Sequence, residues 1–70
     1  MTIKEVEKRT GLTAKTIRYY EKEGLLQVKR DKNNSYRNYS EDDVLLLKKI
    51  KLFRYLEFGV SEIKDILKMS

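Results

Sequence analysis

The sequence predicts a mainly α fold, four helices with a two-stranded β-hairpin between the second and third, and three observations support it. Thr2, Thr13 and Ser40 each stand where a side-chain oxygen can cap a stretch of helically spaced apolar residues. Gly11 and Gly24 fall where the first two of those stretches must stop. Between Gln27 and Tyr39 the pattern changes to short strand-like runs around a polar turn.

The first helix is short and amphipathic. Thr2 with Glu5 three residues on forms a capping box, Met1 and Val6 form the hydrophobic staple, and Gly11 ends the helix. Thr13 caps the second helix, with Leu12 and Ile17 as its staple pair, so a tight turn at Gly11 and Leu12 joins two short helices into a helix-turn-helix. Gly24 stops the second helix, and Leu25 and Leu26 return the chain to the core. Val28 to Arg30 reads as a strand, Asp31 to Ser35 as a polar turn, and Tyr36 to Tyr39 as the returning strand, a two-stranded wing. An isolated hairpin is marginal, so part of the wing must pack on a helix. Ser40 caps the third and longest helix, with Asp43 at the reciprocal position and Tyr39 and Val44 as staple; it is expected to run to about Glu57. Val44, Leu47, Ile50, Phe53 and Leu56, with Leu46, supply its core stripe, and Lys48, Lys49 and Lys51 its wet side. Gly59 closes that helix or caps the fourth, in which Glu62 holds the box position, Phe58 staples onto Ile63, and Ile63, Ile66 and Leu67 face inward. The architecture is a winged helix-turn-helix.

Composition bounds what such a fold can do. Seventy residues make one domain, and a chain of this size buries only ~60% of the surface its unfolded form exposes. Sixteen Lys and Arg against eleven Asp and Glu leave a net charge of +5, which favours a polyanionic partner. There is no cysteine and no histidine, which removes disulfides, thiolate or imidazole metal sites and the common nucleophile and base pairs. The carboxylates Glu21 with Glu23, and Asp42 with Asp43, do not face each other on a helix, and no nucleophile surrounds them. A cytoplasmic domain with no cofactor, no metal and no enzymatic activity is expected. Apolar residues never run the 18 or so positions a membrane span needs, and the amino terminus alternates charge with Ile3 and Val6, unlike a signal peptide.

The second helix carries the chemistry. On an ideal helix Ala14, Ile17 and Glu21 share one side, and Lys15, Arg18, Tyr19 and Lys22 fall together opposite. Cations, donors and flat rings on one face suit the major groove of double-stranded DNA, where Arg or Lys donates to guanine O6 and N7 and tyrosines and lysines grip phosphates. Tyr20 lies on the flank of that face, where half-buried packing competes with a phosphate contact. Salt and sequence dependence of binding separate this reading from a winged helix that docks an acidic protein.

The runs I-x-x-V-x-x-x-T-G-L-T-x-x-T-I-R-Y-Y-E-x-x-G-L-L, Y-R-N-Y-S-E-x-D-V and F-R-Y-L-E-F-G-V-S-E-I resemble the amino-terminal winged-helix domain of MerR-type bacterial transcription regulators, across essentially the whole of residues 1–70. The resemblance implies a second helix in the major groove, with Lys15 and Arg18 at base edges and Tyr19 and Tyr20 near the backbone. It gives Tyr36 and Arg37, with Arg30 on the partner strand, to flanking backbone or minor groove, and Arg54 on the third helix to a phosphate. It further implies a homodimer in the full-length protein, a pseudopalindromic operator and indirect action on RNA polymerase. Such regulators continue into a long dimerising helix and an effector segment, neither of which is among these residues. A stand-alone excisionase-like protein or small repressor is the alternative. Two places depart from the family pattern. Ser35 replaces a usual wing glycine, leaving Asn34 as the residue best able to take a left-handed conformation, and before the last helix Glu57 and Gly59 stand where glycine and a polar cap are usual.

Overall fold

The computed structural model of the chain describes residues 1–33 and 37–69. The order along the chain is α1 (Ile3–Thr10), α2 (Ala14–Lys22), β1 (Lys29–Arg30), β2 (Arg37–Asn38), α3 (Glu41–Tyr55) and α4 (Val60–Lys68). The two strands pair antiparallel, Lys29 opposite Asn38 and Arg30 opposite Arg37. Both are shorter than the sequence suggests, with Val28 and Tyr39 contributing to the core instead of the ladder. The turn residues Asn34 and Ser35, and Tyr36 after them, lie outside the described residues.

The caps act as their residue types require. Thr2 accepts from Glu5 N–H at 3.3 Å, Thr13 from Thr16 N–H at 3.2 Å, and Ser40 from Asp43 N–H at 3.1 Å, while Asp43 takes Ser40 N–H at 2.9 Å to complete the box. Each cap satisfies a backbone donor that the first helical turn leaves orphaned. The amino terminus is tied down as well: Met1 N donates to Tyr39 O at 2.6 Å and Tyr39 N–H to Met1 O at 3.0 Å, so the chain start runs beside the end of the wing.

One buried cluster joins every helix: Val6 of α1, Ile17 and Tyr20 of α2, Leu25 and Leu26 of the following loop, Tyr39, then Val44, Leu47 and Ile50 of α3 and Ile63 of α4. The expected stripe on α3 holds through Ile50, is half-buried at Phe53, and fails at Leu56, which is 55% exposed. A spacing of three residues falls short of the turn length of about 3.6, so each step rotates the stripe further round the helix. By Leu56 it has left the core side. In α4 only Ile63 is buried, with Ile66 and Leu67 half-buried. Lys51 is exposed, as its spacing assigns, and it also donates from Nζ to Thr10 O at 2.9 Å, giving the carboxyl end of α1 a cation and tying it to α3. Arg9 and Glu41 add an exposed ion pair between the same two helices, which holds the Glu41 carboxyl below its ordinary value.

Helix α3 ends at Tyr55, two residues short of expectation, in a Schellman turn: Glu57 N–H bonds Arg54 O at 2.9 Å and Phe58 N–H bonds Phe53 O at 3.0 Å. The rings of Phe53 and Phe58 meet edge to face, centroids 5.6 Å apart, as the apolar contact of that motif. Glu57 occupies the left-handed position with φ 69°, the conformation a glycine adopts without strain. The departure from the family pattern therefore carries a cost. Replacing Glu57 with glycine is expected to raise unfolding stability by about 1 kcal/mol, since the relieved strain exceeds the extra freedom gained by the unfolded chain. Urea unfolding of the two proteins checks it, and a destabilised glycine variant would contradict it. At the next junction Gly59 caps α4 without a side-chain acceptor, and Glu62 Oε1 takes Gly59 N–H at 2.9 Å, half of a capping box.

Candidate nucleic-acid interface

The presentation of α2 begins in the turn before it. Thr10 is buried, donates its hydroxyl to Val6 O at 2.7 Å and accepts Leu12 N–H at 3.2 Å. Gly11 takes φ 76° and returns its N–H to Glu7 O at 2.8 Å. A side chain on Gly11 would need that positive φ and would meet Lys51 Nζ 2.8 Å from its Cβ. Three backbone and side-chain bonds thus fix how α2 leaves α1. At its far end Gly24, φ 83°, bonds Glu21 O and Leu25 N–H reaches Tyr20 O, a second Schellman turn that sends Leu25 and Leu26 into the core.

Between those fixed ends, Ile17 is fully buried and Lys15, Arg18, Tyr19 and Lys22 are all exposed. The outward face expected from the sequence is present. Tyr20 differs from the expectation that places it near DNA backbone: it is 6% exposed and belongs to the core cluster. It follows Ile17 by three residues and so shares the buried side of the helix, where an aromatic ring gains most by leaving water. Tyr19 remains 47% exposed and leans on Tyr20 with ring centroids 5.8 Å apart, which supports its ring from behind while leaving the outer side in solvent.

The wing is fastened to this helix by an ion pair. Arg37 Nε donates to Glu21 Oε1 at 2.7 Å, with both side chains largely shielded. The contact strengthens the guanidinium's hold on its proton, raising Arg37 above the ordinary arginine value. Arg30 stands directly across the ladder from Arg37, a like-charge pairing that is unfavourable by itself and that Glu21 offsets. Below them lies Tyr39, 2% exposed, whose hydroxyl has no hydrogen-bond partner among the described residues. Burial pushes its phenol up, Glu21 adds to the rise, and the charges of Arg37 and Arg18 oppose it. The charges of Glu21, Arg37, Arg18 and Asp43 thus all act on this one buried hydroxyl. Arg18 and Glu21 are also helix-surface neighbours by their spacing of three.

Of the residues singled out from the sequence, Lys15, Arg18, Tyr19, Arg30 and Arg37 are thus brought to α2 and the adjoining wing, with Lys15, Arg18, Tyr19 and Arg30 exposed and Arg37 half-buried. Tyr36 lies outside the described residues. Arg54 is exposed, and one of its donors goes to Phe58 O at 2.8 Å, bracing the α3–α4 junction. Glu21 is the member of the site that sequence reasoning misses. Its signal in the sequence is a carboxylate on the same side as Ala14 and Ile17, where a shielded charge requires a cationic partner.

The chain is similar to known transcription regulators in sequence and in fold. The whole chain, residues 1–70, matches the family described as MerR HTH family regulatory protein. It is 40% identical over 67 residues to heavy metal-dependent transcription regulator 2 of Rhizobium meliloti (strain 1021), covering 96% of this chain and 46% of that protein. Against the HTH-type transcriptional regulator YfmP of Bacillus subtilis (strain 168) it is 39% identical, covering 100% of this chain and 51% of the relative. The solved transcription regulator PbrR691 from Ralstonia metallidurans CH34, in complex with lead(II), superposes with a TM-score of 0.90 at 30% identity, over 99% of this chain and 54% of that one. The chain spans about half the length of these relatives. With a matching family, similar relatives and a matching fold in agreement, the chain belongs to the MerR family of helix-turn-helix regulatory proteins.

Proposed function

We propose that this chain is a sequence-specific DNA-binding module for bacterial transcription regulation, with α2 in the major groove and the wing on flanking backbone or minor groove. Lys15 and Arg18 read base edges. Tyr19, Arg30, Arg37 and Tyr36 hold phosphates, and Arg54 offers its remaining donors to a further one. The observation that carries this reading is the exposed Lys15, Arg18 and Tyr19 face joined to the basic wing through the Glu21–Arg37 contact. Phosphate contacts fix register and base contacts specify sequence, and this surface supplies both kinds of group. A single module of this size makes few contacts, so two copies on a pseudopalindromic operator would multiply a weak affinity, and RNA polymerase would be influenced only indirectly. The cytoplasm is the compartment that fits such a regulator; among the described residues no helix is long and apolar enough to cross a membrane.

Selection of duplexes from a random-sequence pool tests the reading: the protein should enrich a common motif, and binding should weaken steeply with salt. Enrichment of no motif would refute base readout, and salt-independent binding would refute the phosphate contacts. Arg37→Ala is expected to weaken every duplex alike and to reduce the salt slope by about one, measured by titrations at several salt concentrations. A loss confined to one base position would contradict the backbone role.

A further inference from the structure

We propose that Glu21 is a positioning residue of this interface: it fixes the wing against α2 and aims the end of the Arg37 guanidinium toward a phosphate. The inference deepens the DNA-binding reading and rests on it. A carboxylate next to a polyanion is an unfavourable placement on charge alone. Glu21 nevertheless sits beside Arg18 on α2, half-buried, with its Oε1 committed to Arg37 Nε at 2.7 Å. The side chains are 18% and 32% exposed, so the pair is shielded well beyond a surface contact. Nε is the bonded atom, so the guanidinium is held to the carboxylate through its inner nitrogen, and the group's rigid fork of donors turns with it. The contact bridges sixteen residues of sequence and joins the helix directly to the wing strand. Arg30 stands opposite Arg37 in the ladder, so the same contact places it beside α2 as well.

Positioning and simple charge predict opposite signs, and that makes the test sharp. Glu21→Met keeps the bulk and helix propensity, removes a negative charge from the helix that meets DNA and removes the acceptor. If Glu21 contributed only its field, affinity for any duplex would rise. The positioning role predicts roughly fivefold weaker binding to a mixed-sequence duplex, with a salt slope smaller by up to one, as in the Arg37→Ala variant. Glu21→Gln, which keeps an acceptor oxygen, should fall between Met and the wild type. In an Arg37→Ala background the same Glu21→Met change should reverse sign and tighten binding. Circular dichroism melts confirm that each variant is folded at the titration temperature, and the Arg37 Nε–H resonance of the free protein should shift on Glu21→Met. Tighter binding in the wild-type background, or the same weakening with and without Arg37, would overturn the proposal while leaving DNA binding intact. A wild-type protein that binds no duplex would overturn the DNA-binding reading beneath it.

Discussion

Replacing Ile50 with alanine is expected to destabilise the domain by about 2 to 5 kcal/mol, enough to leave a large fraction unfolded. Ile50 is fully buried on α3, the helix through which α1 and α4 share a core. Truncation removes the transfer free energy of the deleted methylenes and leaves a cavity that rigid neighbours fill only in part. A domain of this length has roughly 3 to 10 kcal/mol in total. Leu52, two positions further along and 56% exposed, is the control: its alanine variant should stay within about 0.5 kcal/mol of the parent. Urea unfolding monitored by circular dichroism reads both. Equal losses at the two positions would mean that α3 packs on a different face from the one described.

The second large effect belongs to recognition. Arg18→Ala should reduce discrimination between a selected duplex and a scrambled one by about 1 to 3 kcal/mol, roughly five- to more than a hundredfold. Arg18 is exposed on α2, its helix is locked at both ends by left-handed glycines, and it stands beside the wing's ion pair. A frame held this firmly cannot shift to bring another side chain to the same base. Stability should change little, because the Arg18 side chain is in solvent. Competition titrations with the two duplexes measure the ratio, and an unchanged ratio would remove Arg18 from base readout.

Element identity is legible in the sequence because it is written locally. A hydroxyl three residues before a backbone donor announces a helix start, and Thr2, Thr13 and Ser40 each behave so in the structure. The opposition of Ile17 to Lys15, Arg18 and Tyr19 likewise follows from helical geometry alone. Tyr20 is ambiguous in sequence because its flank position depends on what packs against α2, and Leu25, Leu26 and Tyr39 come from other segments. Lys51 and Glu21 escape a local reading for the same reason. Their partners, Thr10 O and Arg37, lie 41 and 16 residues away, and no local pattern names them. Glu57 is visible as a departure from the family pattern, but only the backbone shows that it takes the glycine's conformation.

If α2 and the wing form one DNA-facing surface, nuclear magnetic resonance during titration with a short duplex will register both at once. Backbone and side-chain signals of Lys15, Arg18, Tyr19, Arg30 and Arg37 should shift together and saturate at one protein-to-site ratio, with Leu45 and Leu52 on the solvent side of α3 unmoved. Shifts centred on those α3 residues, or wing signals that stay still while α2 responds, would mean that α2 and the wing do not meet DNA as one surface.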